Sequence, residues 1–276
     1  MKLNELALSS GKQDLLLDPP IMNSAGILGF APDPKLPFDI SQIGAFITHP
    51  FSLRRRVPAK PTRLETYPGG ALLHTGLPNP GLRGGLKEYR KSWGTFPRPI
   101  IAHVIADSTQ EIAAIVEYLE EADHPLQALE IGLEQALPNE AKAILTTASQ
   151  SQLPLLARLP LGTDRDVIHA AIEAGVNAIV VGPPRGRMRS KENESISGRL
   201  YGPGILPLAL NELEITLQNF DIPVILGCGL FSAESVLDAF TAGAAGVQLD
   251  TILWVHPATI LQEIQTLLRP EQIGDP

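Results

Sequence analysis

Two short stretches of the chain concentrate side chains able to hold an anion. Arg54, Arg55, Arg56, Lys60 and Arg63 form the first; Arg185, Arg187, Arg189 and Lys191 form the second. Guanidinium groups grip carboxylates and phosphates through paired N–H donors, so both stretches are candidates for binding a small anionic ligand. Turn residues interrupt both, and a pair of solvated loops is the competing reading. Thiol and metal chemistry find less support. Cys228 is the one cysteine, which excludes an internal disulfide and gives no zinc cluster. Alone, it reads as a small buried apolar residue rather than a nucleophile. Asp250 has no second carboxylate or histidine spaced to join it, so no metal is assigned. His74 has no identifiable partner, and His256, followed by Pro257, reads as a residue at the entry of the last helix.

The elements that must position these groups follow from length and pattern. At 276 residues the chain suits an α/β barrel, a fold of about 250 residues. No apolar run reaches the ~18 residues of a membrane span, and the opening MKLNELALSS lacks the apolar core and cleavage site of a signal peptide. A cytoplasmic protein without a membrane partner is expected. The net charge of -8 disfavours nucleic acid as a partner.

Short apolar runs alternate with amphipathic segments along the whole chain, which is read as one domain over 1–276 and marks repeated βα units. Strands are expected near 21–25, 45–48, 99–104, 128–131, 154–159, 178–181, 223–227 and 246–249. Ser108 with Glu111, and Thr163 with Asp166, read as capping boxes that open helices, and Ser232 opens a third. Ala174-Gly175-Val176 and Ala242-Gly243-Ala244 form a weak repeat of helix end, left-handed glycine and strand. Eight strands close a TM-free (β/α)8, or TIM, barrel. A β-hairpin at about 3–17, turning at Ser9-Ser10-Gly11, precedes the first strand and plugs the lower end. Long loops follow strands two and six, at the barrel end where active sites assemble. Both basic stretches lie in them.

Four segments in order carry a resemblance to a known family. Pro20-Ile21-Met22-Asn23-Ser24-Ala25-Gly26, Gly76-Leu77-Pro78-Asn79-Pro80-Gly81, Tyr201-Gly202-Pro203-Gly204 and the final quarter from Ile222 to Thr251 resemble dihydroorotate dehydrogenases. The resemblance implies FMN across the barrel mouth. Ala25, Gly26, Thr48, His49 and Arg158 would lie along it, and Gly202, Cys228, Gly229 and Thr251 would sit at its phosphate.

The groups that oxidise dihydroorotate in that family are replaced. His49 stands for a lysine after strand two, Glu130 for the asparagine of strand four and Arg158 for the lysine of strand five. Leu73 stands for a substrate asparagine, and Leu133 for the base of the strand-four loop. Asp250 takes the place of a glycine beside the phosphate, where a carboxylate repels a dianion.

Three readings follow. In the first, the chain is an FMN-dependent oxidoreductase whose substrate is not dihydroorotate, with His49, Glu130 and Arg158 as catalytic candidates. In the second, it is a non-catalytic barrel that binds a ligand or partner, with Glu130 and Arg158 simply paired. The third is a cofactor-free lyase or isomerase on a small phosphorylated metabolite. A homodimer, and an acidic or electron-transfer protein over the mouth, are the partners that the family resemblance and basic rim suggest.

Overall fold

The computed structural model describes residues 5–60, 63–190 and 193–268; Lys191 and the first residues of the expected hairpin lie outside them. Eight parallel strands are apolar almost throughout, as strands covered on both faces must be. They are β1 (Ile21–Asn23), β2 (Phe46–Ile47), β3 (Ile100–Ile105), β4 (Leu126–Gly132), β5 (Leu155–Pro160), β6 (Ala178–Gly182), β7 (Val224–Leu226) and β8 (Gly246–Leu249). Each lies where the apolar runs placed it. Neighbours in the sheet run β1-β8-β7-β6-β5-β4-β3-β2. The ring closes between β1 and β2 through a parallel bridge, Met22 to Ala45, and a 2.8 Å bond from the Gly44 N–H to the Ile21 carbonyl.

Helix starts are set by local hydrogen bonds. The Ser108 hydroxyl accepts from the Glu111 N–H and opens the helix Thr109–Glu121. The helix Arg165–Glu173 corrects one expectation: its cap is Asp164, whose carboxylate accepts from the Asp166 N–H. Thr163 instead donates to the Pro160 carbonyl at 2.6 Å and ties the loop to β5. Ser232 caps Ala233–Thr241, accepting from the Ser235 N–H while the Ser235 hydroxyl accepts from the Ser232 N–H. Ser232→Ala removes half of this box. It should cost about 1 kcal/mol, read as a lower urea midpoint at unchanged slope. Gly175 and Gly243, the repeated helix-end glycines, both take positive φ, 88° and 102°.

The barrel interior is stacked in layers. Ala45, Ile47, Ile101, Ala128, Leu156, Ala178, Val180 and Ile225 point inward and form one buried cluster with the leading hairpin, Leu6–Ser9 and Asp14–Leu17. Alternation along the hairpin buries Leu6, Leu8, Leu15 and Leu17 and leaves their neighbours outside. The plug is therefore hydrophobic and continuous with the barrel core. Its turn lies at Ser10–Gln13, one residue beyond the expected position. Outward-facing strand residues pack the helices in a second, larger cluster.

The insertions after β2 and β6 are not separate loops. They pair into one four-stranded antiparallel sheet over the mouth, ordered Arg185–Arg189, Ser195–Tyr201, Gly70–His74, Arg63–Tyr67. Backbones approach closely at its centre. A Cβ on Gly70 would lie 2.1 Å from the Tyr201 carbonyl oxygen, and one on Gly198 would lie 2.5 Å from that of Leu73. Among the described residues no helix is long and apolar enough to cross a membrane.

Candidate ligand site at the barrel mouth

Side chains two residues beyond the inward apolar layer face the same way, so the upper layer can be read from the strands. Ile101 is followed by His103, Ala128 by Glu130, and Leu156 by Arg158. These three join Ser24 and Gln248 in a buried relay. Arg158 donates through Nη2 to the Ser24 hydroxyl at 2.8 Å and through Nη1 to Gln248 Oε1. Gln248 Nε2 donates to Glu130 Oε2 at 2.5 Å, and Glu130 Oε1 lies 2.7 Å from His103 Nδ1. Arg158 Nη1 is 3.8 Å from Glu130 Oε1.

Charge states follow from these contacts. Burial pushes the Glu130 carboxyl up, but the His103 hydrogen bond and the Arg158 charge outweigh it and leave it below its usual range. Burial holds His103 low despite Glu130. Glu130 is thus the carboxylate and His103 a neutral imidazole with its proton on Nδ1. His103 Nε2 has no hydrogen-bond partner. It sits under Gly132, where a Cβ would come within 2.8 Å.

Above the relay lies a cavity of about 310 Å³, lined by His49, Arg56, Leu73, Glu134, Arg199 and Tyr201 among others. Glu134 is its electrostatic pivot. Arg199 Nε and Arg185 Nη1 both donate to it at 3.0 Å. Burial would raise the Glu134 carboxyl, but the two guanidinium groups hold it at about 2. Two cations on one anion leave positive charge facing the cavity. Arg56 adds to it, since its partner Asp107 lies in solvent.

The residues expected at the site divide accordingly. His49 and Gly26 line the cavity, while Ala25 and Thr48 are buried beneath. His49 packs edge-on against Phe30 at 5.0 Å, and burial lowers its pKa to about 4, so it is neutral. Thr48 accepts from the His103 N–H at 3.1 Å. Glu130 and Arg158 come together, and both are sealed from the cavity by their burial. Leu133 faces the helices in the outer core cluster, so the positions above Glu130 that look inward are Gly132 and Glu134. Cys228 is buried, and burial with the nearby Asp250 pushes its thiol up, away from thiolate. Gly202 and Gly229 keep positive φ, 136° and 80°. Thr251 donates to Asp250 Oδ1 at 3.2 Å.

His103, Gln248, Ser24, Arg199 and Tyr201 form much of the site without having been singled out. His103 was legible: it is the one polar residue of β3 and sits in the inward phase set by Ile101. Among the described residues no group of three metal-ligating side chains gathers.

This arrangement does not fit FMN. Arg158 and Cys228, two of the residues expected at the cofactor, are buried, and the Arg158 guanidinium is committed to Ser24 and Gln248. Asp250 Oδ2 has no hydrogen-bond partner, and the carboxyl, raised by burial to about 7, is part ionised at neutral pH and opposes a phosphate beside Thr251.

A closed α/β barrel with its cavity over the C-terminal strand ends defines the class. The chain belongs to the dihydroorotate dehydrogenase family, a family of oxidoreductases, whose model matches residues 8–270. It is 30% identical to the dihydroorotate dehydrogenase B (NAD(+)) catalytic subunit of Geobacillus kaustophilus, over 94% of this chain and 90% of the relative. It is 28% identical to the protein of the same description from Desulforamulus reducens, over 100% and 97%. The fold also matches a crystal structure of the Eimeria tenella enzyme in complex with ferulenol, with a TM-score of 0.74 at 14% identity, covering 95% of this chain and 82% of that one.

Proposed function

We propose that this family member does not oxidise dihydroorotate and instead uses its mouth to bind a small anionic ligand. The observation that carries the reading is the Arg185–Glu134–Arg199 clamp on the wall of the 310 Å³ cavity, which presents more cationic than anionic charge. Charge of one sign in a concave site focuses its field and draws anions even to an acidic protein. The first reading, an FMN-dependent oxidoreductase of another substrate, requires the relay to open. The second, a ligand-binding barrel, requires no rearrangement. Proton chemistry by Glu130 on a ligand in the cavity is opposed by its burial and by the hydrogen bonds to both its oxygens.

The test is a thermal-shift and calorimetric screen of small carboxylates and inorganic phosphate, with dihydroorotate included. At least one anion should stabilise the protein, and Arg185→Gln should weaken it about 10- to 100-fold, the worth of one charge-assisted hydrogen bond. No response to any anion would remove the reading. The relatives' description as a catalytic subunit suggests a companion protein. An acidic one would suit Arg187 and Arg189, which are exposed on the outer strand of the cap sheet.

A further inference from the structure

The cleft at the mouth is in pieces: a cavity of about 620 Å³ over the ends of β3 and β4 adjoins the cationic one at Arg56, Leu77 and Glu134. Beside the cationic cavity lies an apolar chamber of about 270 Å³, lined by Leu64, Gly202, Phe231, Thr251, Trp254 and Val255 among others. Tyr201 and Leu73 line both. Among the described residues no lysine or arginine lines the apolar chamber. Gly202 and Thr251, two of the four residues expected at a phosphate, open onto it.

Tyr201 is fixed from both ends. Its backbone pairs with Ala71 in the cap sheet, and its carbonyl accepts from the Tyr67 hydroxyl at 3.3 Å. Its side chain is buried, hydrogen-bonded to Arg199 and within the fields of Arg158 and Asp250. The ring therefore stands over the relay, between the chambers. Trp254 closes the far side rigidly, because its indole N–H donates to the Ile27 carbonyl at 2.9 Å.

We infer that Tyr201 is a built-in partition and that, together with Asp250, it closes this barrel to FMN. A flavin mononucleotide is long, with a flat ring at one end and a dianionic phosphate at the other. Of the two chambers that meet at Tyr201 neither can house both ends, and each sits near the lower limit of about 300 Å³ for small-molecule sites. The end that would take the phosphate offers an apolar wall, no cation and the unpaired Asp250 oxygen behind Thr251. Burial raises that carboxyl to about 7, so at neutral pH it is part ionised, and the charge it carries opposes a phosphate dianion. The inference stands apart from the anion reading: the cationic cavity can bind or fail to bind its ligand without changing the partition.

The experiment is an FMN titration of the purified full chain, followed by quenching of flavin fluorescence and by the visible spectrum. The wild-type protein should emerge colourless and bind FMN no more tightly than a Kd of about 1 mM. Tyr201→Ser combined with Asp250→Gly joins the chambers and removes the carboxylate, and should bind at least about 100-fold more tightly. Tyr201→Phe keeps the ring and should stay closed. Far-UV circular dichroism and melting curves establish that each variant is folded. Stoichiometric FMN in the wild-type protein overturns the inference. So does a folded double variant that still rejects flavin, or a Tyr201→Phe variant that accepts it, because either outcome removes the ring and the carboxylate as the cause.

Discussion

Glu130→Ala should lower folding stability by about 3–5 kcal/mol, the usual result of removing one partner from a buried ion pair. The loss comes from what stays behind. Arg158 keeps its charge in the barrel centre with only Ser24 and Gln248 as partners, and the His103 Nδ1–H loses its acceptor. Glu130→Gln is a sharper probe because it preserves volume. Glu130 accepts through both oxygens, from His103 and from Gln248. A glutamine amide turned toward Gln248 would set donor against donor, and one turned toward His103 would force the imidazole proton onto Nε2, which has no acceptor. Turning Gln248 over would move the same conflict to Arg158. Glu130→Gln should therefore still cost about 1–3 kcal/mol, the penalty of an unsatisfied buried group. Urea unfolding at constant slope reads both variants. A loss below about 1 kcal/mol for the alanine variant would mean that the relay is not a fixed network.

Asp250→Asn should act in the opposite direction. Burial raises the Asp250 carboxyl from 3.8 to about 7, against the opposing hydrogen bonds from Thr251. In the unfolded chain the carboxyl ionises near its ordinary value, so between about pH 4 and 7 the folded protein holds a proton that the unfolded chain has released. Stability is then highest at low pH and falls as pH rises through the folded value. The gap corresponds to roughly 4 kcal/mol once the carboxylate is fully ionised. Asparagine abolishes the titration. Its gain should be small near pH 4, grow to neutrality and level off above about pH 7, where the melting temperature should rise by roughly 8 °C or more. Equal gains at pH 4.5 and 8 would show that Asp250 is not the group that titrates.

The barrel was legible because its strands are apolar runs of the right length and its helices announce their starts. Ser108 and Ser232 cap where the pattern placed them. Thr163 misled by one residue because the adjacent Asp164 has a side chain that also reaches a free N–H, and the sequence does not say which oxygen wins. The site was harder to read. Asp250, Glu130 and Arg158 stood out because the family resemblance puts a glycine, an asparagine and a lysine at their positions. The partners Gln248 and Ser24 did not, since a neutral polar residue near a strand end carries no charge to flag it. Arg199 and Tyr201 were hidden for another reason. Their roles depend on which strand they pair with, and a run such as Ser195–Tyr201 does not name its distant neighbour.

That distant pairing also has a history in time. Gly70–His74 and Ser195–Tyr201 belong to the first and last thirds of the chain, yet each completes the other. Contacts so far apart in sequence close late, because the intervening chain must first lose its freedom. During synthesis the leading hairpin and β1 to β5 are available well before Ser195–Tyr201 exists. The roof over the mouth, with Arg199 and Tyr201 on it, is therefore the last part of the cavity to be laid down. A chain interrupted before residue 195 lacks Arg199 and Tyr201 and with them one wall of the binding cavity.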